Sequence, residues 1–289
     1  MYRFKTFVCF CLFALLFSCS KKVIDNNGSN KSDPTGWKLI WHDEFNYTGF
    51  PDSTKWKYEA GFQRNQEEQY YTKKRAQNCW VDSGYLTMTL RKETYPNANY
   101  KPGSTDWRYS KPYASYTSAD ITSTNFSFQY GRVEVRAKLP HGPGVWPAIW
   151  MLGAKKNVPW PDCGEIDIME FVGDFAPKIF GTIHYGNKAV GVHHQIQGVY
   201  AAPASFDLST QFHVYAMEWD STSIKFFFDN ILYKTTAISS TGVYAHEFQQ
   251  PFYLIMNMAF GGIWPPANSY LNETLPQKFI IDYVRVYQH

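Results

Sequence analysis

Three carboxylates fall within six residues, Glu165-Ile166-Asp167-Ile168-Met169-Glu170, in an otherwise apolar, β-prone stretch that opens on Gly164 and closes on Phe171. In a strand, successive side chains alternate faces, so Glu165 and Asp167 share one side while Ile166 and Ile168 take the other. Strict alternation puts Glu170 with the isoleucines, inside the core. A buried carboxylate with no partner is very costly. A β-bulge near Met169 removes the conflict, because one extra residue shifts the pleat and returns Glu170 to the face of Glu165. The stretch therefore requires a sheet with one apolar face and one face that carries three acids.

That spacing has chemical content. Discounting the bulge residue, Glu165 and Glu170 lie about four strand steps apart, roughly 13 Å between Cα atoms. Side chains leaning together close this to about 5–5.5 Å between carboxyl groups, the separation used by retaining glycosidases. Asp167 sits between them, and its charge raises the pKa of a neighbour, as a general acid at neutral pH requires. The competing reading is an edge strand with a solvated acidic face. The flanking Trp, Gly, Phe and Val, rather than Lys and Ser, argue against it.

The rest of the chain reads as β-structure too. Leu86, Met88 and Leu90 alternate with Thr87, Thr89 and Arg91, and residues 131–139 alternate apolar and charged. Residues 224–233 form a hairpin with Asp229-Asn230 as its turn. Residues 95–116, with their Pro, Gly and many aromatics, read as a long loop or irregular hairpin. There is no internal repeat, no Gly-rich phosphate loop and no long amphipathic helix. Many short strands between turn signals predict an all-β, antiparallel sandwich or barrel, and 289 residues suffice for one large domain of that kind. A net charge of +3 with 18% charged residues indicates neither nucleic acid nor an acidic partner. Aromatics reach 18%. They favour strands, and their flat apolar faces suit the stacking of sugar rings.

The acidic stretch resembles the catalytic strand of glycoside hydrolase family 16, in its bulged Glu-x-Asp-x-x-Glu form. Trp146-Pro147-Ala148-Ile149-Trp150-Met151-Leu152 resembles the Trp-Pro-Ala-Phe-Trp-Met-Leu signature of the laminarinases, the endo-β-1,3-glucanase branch. Residues 65–72 resemble its Asn-Asn-Glu-Leu-Gln-Tyr-Tyr segment, with Gln66 and Glu68 as departures. The likeness runs in order over residues 37–287. It implies a jelly roll of two curved sheets whose concave face is the substrate groove. It also implies a monomeric, retaining hydrolase of laminarin-like β-glucan. Glu165 would be the nucleophile, Glu170 the general acid and base, and Asp167 their electrostatic partner. Asn65, Arg91, Trp146, Trp150, His184, Asn257 and Trp264 fall where the family binds sugar. No catalytic cofactor is implied; a structural Ca²⁺ held by Glu44 and Asp282 is. The same chemistry on mixed-linkage glucan or a galactan such as agarose, a transglycosylase, and a non-catalytic glycan-binding lipoprotein are the alternatives. His193 and His194 sit in a Gly-rich loop without the spacing of a zinc site.

Residues 1–19 read as an export signal, a short basic start followed by an apolar run too short to span a membrane comfortably. Leu16-Phe17-Ser18-Cys19 resembles a lipobox, with Cys19 as the lipidated residue; an ordinary secretory signal is the other reading. Both place the protein outside the cytoplasm, on the outer membrane or cell surface in the first case. The only membrane contact expected is the lipid anchor. Residues 20–36 are polar and read as a tether to the domain at 37–289. Only Cys79 and Cys163 remain in that domain, either bridged or as two free thiols.

Overall fold

The computed structural model describes residues 36–123, 125–203, 206–266 and 275–289. The export signal with Cys19, and the tether up to residue 35, lie outside the described residues. In chain order the strands are β1 (Lys38–Asp43), β2 (Lys57–Tyr58), β3 (Gln69–Tyr71), β4 (Cys79–Asp82), β5 (Tyr85–Pro96), β6 (Tyr113–Ser118), β7 (Asp120–Thr122), β8 (Gly131–Lys138) and β9 (Val145–Gly153). They continue with β10 (Glu165–Glu170), β11 (Lys178–Asn187), β12 (Val192–Ala201), β13 (His213–Trp219), β14 (Ser223–Phe228), β15 (Ile231–Ala237), β16 (Phe252–Phe260) and β17 (Gln277–Gln288).

Two sheets face each other. One follows the order β15-β14-β13-β8-β17-β5-β6-β3, with β1 on β17 and β4 on β5; the other is β12-β11-β10-β9-β16-β7-β2. Every pairing is antiparallel except β3 with β6. This is the expected jelly roll, and its core lies between the sheets. Along β8, Val133, Val135 and Ala137 are buried while Glu134, Arg136 and Lys138 point outward, as the alternation predicts. Along β16, Leu254, Met256, Met258 and Phe260 enter the same core.

The central strands of the smaller sheet are covered on both faces. On β9, Ile149 and Met151 point into the core. Ala148 and Trp150 point the other way and pack with Ile255 of β16. Strands buried on both sides read as continuous apolar runs, which is how residues 145–153 and 252–260 look in the sequence. On β10, Ile166, Ile168 and Met169 all belong to the core, and the register with β9 slips between Asp167 and Met169. Two consecutive side chains pointing inward mark a bulge, and they bring Glu170 out beside Glu165 and Asp167.

The β14–β15 hairpin turns at Asp229-Asn230, both with positive φ, as a tight two-residue turn requires. Residues 95–116 are more ordered than their composition suggests. β5 runs on to Pro96, a single helical turn (Trp107–Ser110) is capped by the Asp106 carboxylate, and the Asn97 amide donates to the carbonyls of Arg108 and Lys111. Cys79 and Cys163 are free and buried.

The pair expected to hold calcium is engaged elsewhere. Both Glu44 oxygens accept from Arg285, at 2.8 and 2.7 Å, and Asp282 accepts from Arg136. Carboxylates neutralised by separate guanidinium groups do not offer the free oxygen shell that Ca²⁺ takes. These residues do not fit the ion, and Glu44 and Asp282 act as anchors of β17 to β1 and β8.

Candidate active site

A groove of about 1130 Å³ lies on the face of the smaller sheet opposite the core. The β10 bulge places Glu165, Asp167 and Glu170 together along its floor. Trp146 and Trp150 of β9, His184 of β11 and Asn257 of β16 are its neighbours. Asn65 and Trp264, from loops, complete the lining.

Each acid has its own surroundings. Glu170 accepts a hydrogen bond from Trp146 Nε1 at 3.1 Å. His184 stands directly across from Glu165 in the β10–β11 register. Its Nε2 is 3.1 Å from Asp167 Oδ2 and 4.0 Å from Glu165 Oε1. Burial raises all three carboxyl pKa values above the ordinary range. The nearby Asp167 charge adds to the effect on Glu165, which is pushed up to about 8. Asp167 is pushed up to about 7, again by burial. Glu170 is raised well above its ordinary value by burial, then by the charges of Asp167 and Glu165. Burial and mutual repulsion hold protons on this cluster to higher pH than on exposed carboxyl groups.

A consequence for stability follows. Between the ordinary carboxylate pKa and about 8, the folded chain keeps Glu165 protonated while the unfolded chain releases the proton. The native state then binds more protons, so stability falls as pH rises through that window. Glu165→Gln removes this effect. After discounting for the open groove, the gain at pH 8 is about 1–3 kcal/mol. Thermal melts should show Glu165→Gln several degrees above the parent at pH 8 and level with it at pH 4. Equal melting at both would contradict the burial argument.

The tryptophans are more enclosed than two open stacking walls. Both are 7% exposed. Trp146 meets Trp264 edge-on, with ring centres 5.3 Å apart. Trp150 Nε1 donates to Asn257 Oδ1 at 2.8 Å. Asn257 in turn donates to the Tyr71 hydroxyl, and Tyr71 donates to the buried Glu67. Asn65 has positive φ, which Asn tolerates, and its carbonyl accepts from Ile263 N at 3.0 Å. Gly262 makes that contact possible, because a Cβ there would lie 2.7 Å from the Asn65 oxygen. The loop bearing Trp264 is thus docked on the Asn65 loop.

Arg91 does not join them. It lies on β5 in the other sheet, outside the groove, 3.6 Å from Glu93. Its alternation with Thr87 and Thr89 puts it on the solvent side of that sheet, the reading its sequence context alone supports. The arginines that line the groove are Arg64 and Arg108, and the Arg64 guanidinium stands 4.9 Å from the Trp150 ring centre. Nothing in the local pattern singles out Arg64. Glu67, Gln69 and Tyr71 do share a period-2 face, which marks them in retrospect. His193 is the other omission. It lies on the edge strand β12, not in a loop, and lines the groove. Polar residues such as Gln195 and Gln197 hide an edge strand from a reading based on hydrophobic alternation.

Paired carboxyl groups on the floor of an open, aromatic-lined groove are the arrangement of a glycoside hydrolase. The chain belongs to the glycosyl hydrolases family 16, whose family model matches residues 66–285. A beta-glucanase of Rhodothermus marinus is 39% identical over 96% of this chain and 93% of its own length. The laminarinase structure from Rhodothermus marinus superposes with a TM-score of 0.73 at 40% identity, covering 87% of this chain and 97% of that one. A structure from work on the endo-acting O-glycanases that prominent human gut bacteria express to initiate mucin breakdown superposes with a TM-score of 0.80. Its identity is 39%, and the match covers 89% of this chain and 92% of that one.

Proposed function

We propose that the protein is a retaining endo-glycosidase that cleaves β-1,3-glucosidic bonds in laminarin-like glucan. Glu165, its proton first released, attacks the anomeric carbon as the carboxylate while Glu170 protonates the leaving oxygen. Glu170, now ionised, then takes a proton from the water that releases the sugar. Asp167 and His184 tune the charge of Glu165. The observation that carries this reading is the bulge at Ile168–Met169, which puts both glutamates on one groove floor with Asp167 between them. Export as a lipoprotein through Cys19, with the enzyme monomeric and held to the membrane only by its lipid, belongs to the same proposal. A mucin-type O-glycan is the second substrate reading. It is favoured by the TM-score of 0.80 to the O-glycanase structure, against 0.73 for the laminarinase at nearly the same identity.

The test is digestion of laminarin, mixed-linkage β-glucan, agarose and gastric mucin O-glycans, followed by proton NMR of the new reducing ends. β-Anomers appearing first from laminarin are the expected result. First-formed α-anomers would refute retention. Cleavage confined to mucin glycans would transfer the same chemistry to the second substrate.

A further inference from the structure

His184 and His193 face each other across the β11–β12 hairpin. In register, His184 pairs with Gln195 and Gly186 with His193, so the two imidazoles are diagonal neighbours on the groove side. His184 Nδ1 is 2.9 Å from His193 Nε2, and the rings are near-parallel at 20°. Gly186 accepts the close approach of β12 where a Cβ would meet the Val192 carbonyl at 2.1 Å. Its amide also points at the buried Glu247 carboxylate. Trp160 packs near both rings, its centroid 4.6 Å from His193 and 6.4 Å from His184.

One neutral arrangement suits the charges around the pair. His184 Nε2 faces the carboxyl oxygens of Asp167 and Glu165, at 3.1 and 4.0 Å, and a hydrogen on that nitrogen is favoured there over a lone pair. That leaves His184 Nδ1 as an acceptor, and His193 Nε2 must then be the donor. We propose that His193 is a positioning residue of the active site: its Nε2–H fixes His184 in the Nε2–H tautomer that serves Asp167 and Glu165. The proposal rests on the reading of those carboxylates as catalytic.

The charged and titratable surroundings of His193 suit this role. They are His184 on β11, His194 on its own strand, Lys188 and Asp162 at the hairpin end, Glu247 beneath Gly186, and Glu165 and Asp167 beyond His184. Burial, then the two neighbouring imidazoles, lower the His193 pKa and keep it neutral near pH 7.

Two measurements test the assignment. Long-range ¹H–¹⁵N NMR of the labelled protein reads the His184 tautomer without substrate. A bare Nδ1 and protonated Nε2 are expected, and the reverse overturns the proposal whatever the enzyme cuts. The second is laminarin hydrolysis by His193→Phe and His193→Gln. At pH 8, His193→Phe should lower kcat about tenfold, the loss typical of an orienting partner, with KM little changed. His193→Gln, which keeps a donor, should recover most of kcat at pH 8. A change in KM alone or no recovery by Gln would each overturn the proposal. If the parent fails to cut laminarin, the substrate reading falls while the tautomer measurement still decides this one.

Discussion

Glu165→Ala and Glu170→Ala are each expected to abolish polysaccharide cleavage, and azide should separate their roles. Loss of a covalent nucleophile costs on the order of 10⁵-fold or more, and loss of a general acid about 10²–10⁴-fold. Azide is small enough to enter the space either carboxylate leaves. With Glu165→Ala, it attacks from the nucleophile's side in a single displacement and gives the inverted glycosyl azide. With Glu170→Ala, an activated aryl glycoside still forms the glycosyl-enzyme. Azide then attacks from the leaving-group side and gives the retained product. Rescue with exchanged stereochemistry would reverse the assignment of nucleophile and acid. The surroundings support the order proposed. His184 favours the anion of both glutamates, but Glu170 lies furthest from ionisation because burial and the charges of two acids act on it together. Circular dichroism should remain native in both variants, since neither side chain packs in the core between the sheets.

How much of this was legible in the sequence depended on whether local pattern or long-range packing decided each position. The bulge was readable because alternation and the cost of a buried acid conflict at a single residue. The two-sided strands were readable as apolar runs, and Asp229-Asn230 as a turn, because each signal is local. Arg91 was placed in the groove by the resemblance alone; its own alternation with Thr87 and Thr89 reads as a solvated strand charge. Glu44 and Asp282 looked free to bind an ion because their arginine partners, Arg285 and Arg136, lie 241 and 146 positions away. His193 was hidden by a polar edge strand. The enclosure of Trp150 was hidden because it depends on Tyr71 and Asn257, which are 186 residues apart.

Arg64→Met should be the most destabilising change near the groove that leaves Glu165, Asp167 and Glu170 in place. Arg64 Nη1 lies 2.8 Å from Asp120, which is fully buried, and Nη2 bonds Glu59. Burial raises the Asp120 pKa, and Arg64 is the largest influence opposing that shift. Removing one partner of such a pair strands the other, at a cost of about 3–5 kcal/mol. The stranded acid escapes by holding a proton that the unfolded chain would release. Stability of Arg64→Met should therefore fall further as pH rises, and its melting-temperature deficit should be larger at pH 8 than at pH 5. Adding Asp120→Asn removes the uncompensated charge and should restore more than half of the loss, a coupling that a double-mutant cycle measures directly. Arg91→Met supplies the contrast. Its partner Glu93 is partly exposed, so the loss should stay within about 1 kcal/mol. Activity should separate the two arginines as well. Without the guanidinium near its ring, Trp150 loses one of its two restraints, and kcat/KM should fall for Arg64→Met but not for Arg91→Met. Equal effects of the two substitutions would show that the buried cluster behind Trp150 does not position the groove.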